Sequence, residues 1–335
     1  MESLDGIEIV FAIEERFGIE VPFNANSSDS FNMRTIGDAI RSTLWSPGPF
    51  GSYQLVWLGG LNGVAMLDRS AMGFLEKRAG IGRIDKMRSI GKSWCRNSVG
   101  ETVFFNALSI SFPHAERFFV NSVRTVLPMV KDNLLERSQI FINQENQHAS
   151  AHHEFNKKIA DHGYDVEQLA KITRLALIAG RLGDIRQKIG MTMAMEHLTT
   201  IISSNLIQRD YFSRDVEIHI RSFWMWHMKE ELEHKDLAFD LFLFLTKSLS
   251  DFSIWALRAR MMILATKIMV RIVVNSMNSM LLSDGYNRRW RRWSIIGKTL
   301  VLYPGFYTRV ILQYFSFYLP RFHPSGRIRE EICNL

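Results

Sequence analysis

NQENQHASAHHEFN, residues 143–156, decides how this chain is read. The stretch holds three histidines and two glutamates among amides, with hardly a large apolar side chain. On a helix, Glu145, His148 and His152 stand at i, i+3 and i+7 and share one face. A helix face normally turns apolar residues toward the core. This one turns metal-ligand chemistry inward.

The motif has an echo. WHMKEELEH, residues 226–234, contains Glu231-x-x-His234, with His227 four residues before Glu231. The two sets mirror each other in chain direction, as antiparallel helices facing one site do. Two further acids sit in apolar helical surroundings, Glu116 in SFPHAERFF and Glu196 in MTMAMEHLTT. The spacing therefore predicts Glu, Glu-x-x-His, Glu, Glu-x-x-His on four successive helices, the arrangement of ferritin-like di-iron and di-manganese bundles. Two cations close together need shared carboxylates to offset their repulsion. An i, i+3 Glu/His pair gives each ion one carboxylate and one imidazole from a single turn. That donor chemistry suits two iron or manganese ions. The expected ligands are Glu116, Glu145, His148, Glu196, Glu231 and His234. His152 and His227 read as further ligands, as side chains that orient the ligands, or as packing. Thr200, one turn after Glu196, reads as a hydrogen-bonding group near a bound oxygen species or as a hydroxyl bonded back to its own helix. Taken alone, KEELEHK reads as a solvated charged face.

The rest of the chain sets the frame. Its 335 residues are 47% hydrophobic and 22% charged, and only 8 are proline, which favours a mainly helical protein. Two cysteines without a CxxC exclude a disulfide framework and a zinc ribbon and fit a reducing cytoplasm. IGKS at 90–93 lacks the preceding glycine of a phosphate-binding loop, and no GxSxG or GxGxxG stands out. Residues 1–40 carry eight acids and two bases, so of the net +7 the remainder holds +13. An acidic head and a basic body suggest docking between them or with an acidic partner. YNRRWRRW at 286–293 interleaves arginine with aromatics, yet no nucleic-acid motif accompanies it. A helix start lying on an anionic membrane, or a solvated surface, fits it better.

Helices are expected near 114–130, 133–161, 165–205, 209–248, 252–283 and 289–320. Pro113 suits the first turn of the first, Asp165 with Gln168 a capping box, and Asp251 a cap of the fifth. The last two are apolar but interrupted by Lys267, Arg271, Pro304 and Arg309, too broken to span a bilayer. The fold class is all-α: a four-helix metal-binding bundle with two extra C-terminal helices. The expected division is 1–43, a linker at 44–90, the helical metal domain at 91–325 and a tail at 326–335.

Two resemblances add to this. From about residue 98 to 325 the chain resembles the predicted metal-dependent hydrolases, through NALSISFPHAERFF, FINQENQHASAHHEFN, MEHLTT, WHMKEELEHKDLAFD and YLPRFHPSG. The resemblance implies a helical metal site with the same six ligands. ESLDGIEIVFAIEERFGIEVP at the N-terminus resembles an acyl carrier protein from its prosthetic-group serine onward. That implies 4'-phosphopantetheine on Ser3. Glu2 replaces the usual aspartate and the carrier's first helix is missing, so either the start lies upstream of Met1 or the segment is a remnant.

Together these readings predict a dinuclear metalloenzyme that oxidises a carrier-tethered acyl or aminoacyl group, or another lipophilic small molecule, with dioxygen and an external electron donor. The alternatives are hydrolysis of an ester, thioester or amide by the same ions, and a non-catalytic metal-binding or carrier-docking scaffold.

Overall fold

Ser98 starts the bundle by accepting a hydrogen bond from Glu101 N at 3.3 Å, which caps helix α1, Val99–Arg124. The computed structural model describes residues 89–212, 215–301 and 306–325. Ser3, the carrier-like segment 1–43, all but the last two residues of the linker 44–90, and the tail 326–335 lie outside the described residues. After α1 come a short 3-10 turn, Leu127–Met129, and α2, Asp132–Ala160. Then follow α3, Val166–Arg181; α4, Ile185–Gln208; α5, Ile218–His234; and α6, Leu237–Thr246. The chain continues with α7, Asp251–Ser283; α8, Arg289–Leu300; and α9, Phe306–Ser316. No strand occurs among the described residues.

Several boundaries differ from expectation, each for a local reason. Helix α1 begins at Val99, so Pro113 lies inside it rather than in its first turn. Residues 102–110 are buried on every side, which erases the amphipathic period that marks a helix in sequence. The expected helix 165–205 is two helices. Asp165 caps α3 through Gln168 N, and Asp184 and Gln187 form a capping box that starts α4. The expected 209–248 is two helices, α5 and α6, and starts late because Asp210 and Asp215 take left-handed backbone, φ 46° and 55°, between α4 and α5. Ser250 caps α7, with Asp251 as its first residue. The expected 289–320 is α8 and α9, with 302–305 outside the described residues.

The helices that carry the expected ligands are therefore α1, α2, α4 and α5, with α3 intervening in sequence. Helix α1 packs along α2, and α4 along α5, α6 and α7. Helices α2 and α5 run antiparallel: Gln144 meets His234, His148 meets Glu230 and His152 meets His227. Helices α1 and α2 also run antiparallel, since Ser109 meets Asn156 while Glu116 lies by Glu145.

Two apolar clusters flank the expected site. One gathers Trp94, Phe105, Phe112, Phe155 and Trp224. The other gathers Phe118, Phe141, Met191, Phe239 and Met261. Glu116 falls between Phe112 and Phe118 on α1, and Glu145 and His148 fall between Phe141 and Phe155 on α2. The polar residues thus form one layer between two dry cores. No helix among the described residues is long and apolar enough to cross a membrane.

Candidate metal centre

All six expected ligands meet in that layer. Glu145 and His148 are 0% exposed, Glu116 and Glu196 1%, His234 2% and Glu231 3%. Glu145, His148, Glu231 and His234 each bring a donor atom within 4.8 Å of the others. Glu145 Oε1 lies 2.7 Å from His234 Nδ1 and 3.4 Å from His148 Nδ1. Glu231 Oε1 lies 3.6 and 3.9 Å from the same two nitrogens. Each central carboxylate therefore faces both histidines. Glu196 Oε2 reaches to 3.9 Å of His234 Nδ1. His152 and His227 join the layer with Glu116, again within 4.8 Å.

The far nitrogens of the motif histidines are tied down crosswise. His148 Nε2 hydrogen-bonds Glu230 Oε2 at 3.0 Å, and His234 Nε2 hydrogen-bonds Gln144 Oε1 at 3.1 Å. Trp226 Nε1 donates to the other Glu230 oxygen at 2.8 Å, and Gln144 Nε2 donates to Glu233 at 3.2 Å. Carboxylate and amide oxygens only accept, so in the neutral form of both rings Nε2 carries the proton and Nδ1 is bare. Both bare atoms face the carboxylates. The residue just before each motif glutamate thus braces the histidine of the opposite motif, as ligand histidines are commonly braced.

The polar atoms at the centre lack partners of their own. Both oxygens of Glu116, Glu145 and Glu196, and Nδ1 of His148 and His234, are buried without a hydrogen bond. The 2.7 Å approach of His234 Nδ1 to Glu145 is off the hydrogen-bond line. Leaving one buried polar group unsatisfied costs about 1–3 kcal/mol, and more for a charged one. Lone pairs converging on shared space are what divalent cations require, so this donor set fits a metal pair.

The charges are uneven. Burial pushes the Glu116 carboxyl well above its ordinary range, with Glu145 adding to it, and burial does the same to Glu196, helped by Glu231. Burial also opposes ionisation of Glu145 and Glu231, but neighbouring histidines outweigh it and hold both below the usual range. Burial lowers His148 too, but the Glu145 and Glu230 carboxylates beside it outweigh that and raise it. Burial, then the adjacent histidines, push His152 and His227 down.

A cavity of about 20 Å³, enough for roughly one water-sized molecule, lies against His227 and Thr199. Phe105, Phe112, Ile202, Trp224, Met228 and Met269 wall it.

Sequence reasoning missed several of these groups. Glu230 is not on a solvated face but 8% exposed and bonded at both oxygens. Thr199, not Thr200, reaches the centre: its hydroxyl donates to Glu231 Oε2 at 2.7 Å. Thr200 donates instead to the Glu231 backbone carbonyl at 3.1 Å. One residue is a rotation of about 100° on a helix, so adjacent threonines serve different faces. His197 packs against Phe317 and Phe322, and burial pushes it down to about 4. Gln144, Ser109 and Asn156 carried no signal except one: Gln144 and Glu230 each immediately precede a Glu-x-x-His.

A family model described as predicted metal-dependent hydrolase matches residues 83–327. No curated protein and no solved structure matches the chain.

Proposed function

The chain belongs to the predicted metal-dependent hydrolases, and from that premise we propose that it is a dinuclear metalloenzyme acting on a lipophilic small molecule by oxygen-dependent oxidation. The observation that carries the metal pair is the set of buried, unpartnered atoms on Glu116, Glu145, Glu196, His148 and His234. These side chains, with Glu231, would hold two iron or manganese ions. When bound and reduced, such ions supply dioxygen activation, with two electrons from an external donor.

The protein's part is to position and to exclude water. Glu230 and Gln144 keep Nδ1 of His148 and His234 bare and aimed inward. Thr199 fixes one Glu231 oxygen and leaves the other facing the histidines. Burial holds the Glu116 and Glu196 carboxyls well above the ordinary range, so they give up protons less readily than Glu145 and Glu231. Phe112, Phe141, Trp224 and Trp226 close the layer against solvent. A dry site protects a reactive oxidant, and the apolar cavity at His227 admits a small apolar group more readily than water. A carrier-tethered acyl or aminoacyl group is the substrate form that the N-terminal resemblance supports.

Hydrolysis is the second reading, favoured by the family's description. There the same ions would supply Lewis acidity and an acidified water. One experiment separates the two. Fe(II)-loaded protein with a reductant and acyl substrates of varied length is expected to consume dioxygen with substrate. Turnover without oxygen or reductant, with manganese or zinc sufficing, would overturn the oxidative reading in favour of hydrolysis.

We also propose that α8 and α9 rest on an anionic lipid surface. On α8, Trp290 is 64% exposed among the exposed Arg288, Arg289 and Arg291, and in and just after α9 Leu312, Phe315 and Leu319 are 81, 60 and 59% exposed. Exposed apolar side chains among arginines suit the headgroup boundary.

A further inference from the structure

We infer that His227 is a metal donor through Nε2, and that His152 is not a donor but the ring that orients it, at the end of a relay beginning at Pro113. The inference rests on the metal-centre reading above, and not on either reaction.

Pro113 has no N–H to give to the carbonyl four residues back, that of Ser109. Asn156 Nδ2 takes that carbonyl at 3.0 Å. A carbonyl only accepts, so the amide cannot be the other way round. Its Oδ1 then faces Ser109 Oγ at 2.7 Å and receives the one hydroxyl proton. With that proton committed, Ser109 Oγ must accept from His152 Nδ1, 2.8 Å away. A neutral imidazole carries one N–H, so Nε2 of His152 is bare and accepts from His227 Nδ1 at 2.6 Å. Nε2 of His227 is therefore bare as well. It faces Glu231 Oε1 at 3.0 Å. That sets a bare nitrogen beside a carboxylate of the expected ligand set, where a cation held by Glu231 would find it as a further donor.

The neighbouring arrangement, with Glu116, His152 and His227 all ligating one ion, is within reach but strained. An ion bound through His152 Nε2 and His227 Nδ1 would sit between nitrogens only 2.6 Å apart. Two nitrogens bonded to one ion at about 2.1 Å stand about 3 Å apart even at a right angle. The observed separation belongs to a hydrogen bond. Ser109, His152, Asn156 and His227 are 0, 0, 5 and 2% exposed, so water does not compete for the relay. Phe112 packs against both rings, with centroids 4.7 and 4.9 Å away, and holds their mutual angle.

The test uses the full chain with ¹⁵N-labelled histidine, metal-free and then loaded with Zn(II), read by long-range ¹H–¹⁵N NMR. His152→Gln and His227→Gln assign the two rings. The expected result is Nδ1-protonated His152 and His227 in the metal-free protein, with zinc shifting Nε2 of His227 and leaving Nε2 of His152 at its hydrogen-bonded position. Ser109→Ala, which removes the relay's acceptor with little change in volume, is expected to mix the His152 tautomers and to weaken one zinc equivalent roughly 10–100-fold. Asn156→Leu is expected to do the same, and unchanged His148 and His234 signals show that either variant has folded. Nε2-protonated His227 in the metal-free protein, a zinc shift at Nε2 of His152, or unaltered tautomers and affinity in both variants would each overturn the inference. Absence of zinc uptake overturns the metal centre itself, and is seen before any tautomer is assigned.

Discussion

Glu116→Gln separates a metal ligand from a structural acid. Glu116 is 1% exposed, neither of its oxygens has a hydrogen bond, and burial with Glu145 nearby holds its carboxyl well above the ordinary range. Glutamine is a neutral group of the same shape, so the metal-free protein should barely notice the change. One extra unsatisfied N–H costs about 1 kcal/mol, or roughly 2–4 °C in Tm for a body of this size. The metal-loaded protein should notice it strongly. An ion at 100 to 1,000 times its Kd stabilises by about 2.7–4.1 kcal/mol, roughly 5–16 °C in Tm. Loss of one charged ligand that weakens binding roughly 10–100-fold removes about 1.4–2.7 kcal/mol of this. The assay is calorimetric melting of wild type and variant, each with chelator and with Mn(II). The reasoning predicts a metal-linked rise in wild type that is cut by roughly 3–11 °C in the variant, with nearly equal metal-free Tm values. An equal metal-linked rise in both proteins would refute Glu116 as a ligand. Collapse of the metal-free variant would refute the neutral acid.

Three further outcomes follow from the same geometry. Metal uptake should release protons, because Glu116 and Glu196 are held above the usual range and must give theirs up; affinity therefore falls as pH falls, and titration calorimetry in buffers of different ionisation enthalpy should count one to two protons, roughly, per filled centre, with none contradicting the assignment. Gly190→Val should lower stability by about 1–3 kcal/mol in chemical denaturation, since a Cβ there meets Met261 Cγ at 2.8 Å and the Phe242 ring at 3.4 Å; an unchanged midpoint would mean α4, α6 and α7 are not packed this closely. Co-sedimentation with anionic vesicles should be strong and salt-sensitive and fall at least several-fold in Leu312→Glu, whose parent side chain is 81% exposed; equal binding to neutral vesicles would argue against the basic face.

The buried Glu/His cluster was the most legible part of the chain, because its residues recur at fixed helical spacing. The extra histidine follows the Glu-x-x-His motif of α2 and precedes that of α5, which fits antiparallel helices, and the contacts from Gln144–His234 to His152–His227 run that way. The groups that orient the ligands were harder to see. Glu230 lies among Lys229, Glu233 and Lys235, and only the fold shows that its face turns to His148 and Trp226. The start of α1 was hidden by burial on all sides. Pro113 looked like a boundary because proline usually is one, yet here its missing N–H leaves a carbonyl that Asn156 uses. The breaks before Asp184 and at Asp210 were written in capping and left-handed residues, but apolar periodicity on both sides masked them. Ser3 and its carrier-like surroundings lie outside the described residues.

The central claim is that four buried carboxylates and their histidines exist to hold two cations. The most direct measurement is elemental analysis of the purified full chain, as isolated and after anaerobic Fe(II) loading and desalting. The account predicts close to two iron or manganese atoms per chain, with the loss of at least one in a Glu145→Gln, Glu231→Gln double variant. One zinc or none in wild type after loading would contradict it, and the dinuclear mechanism would fall with it.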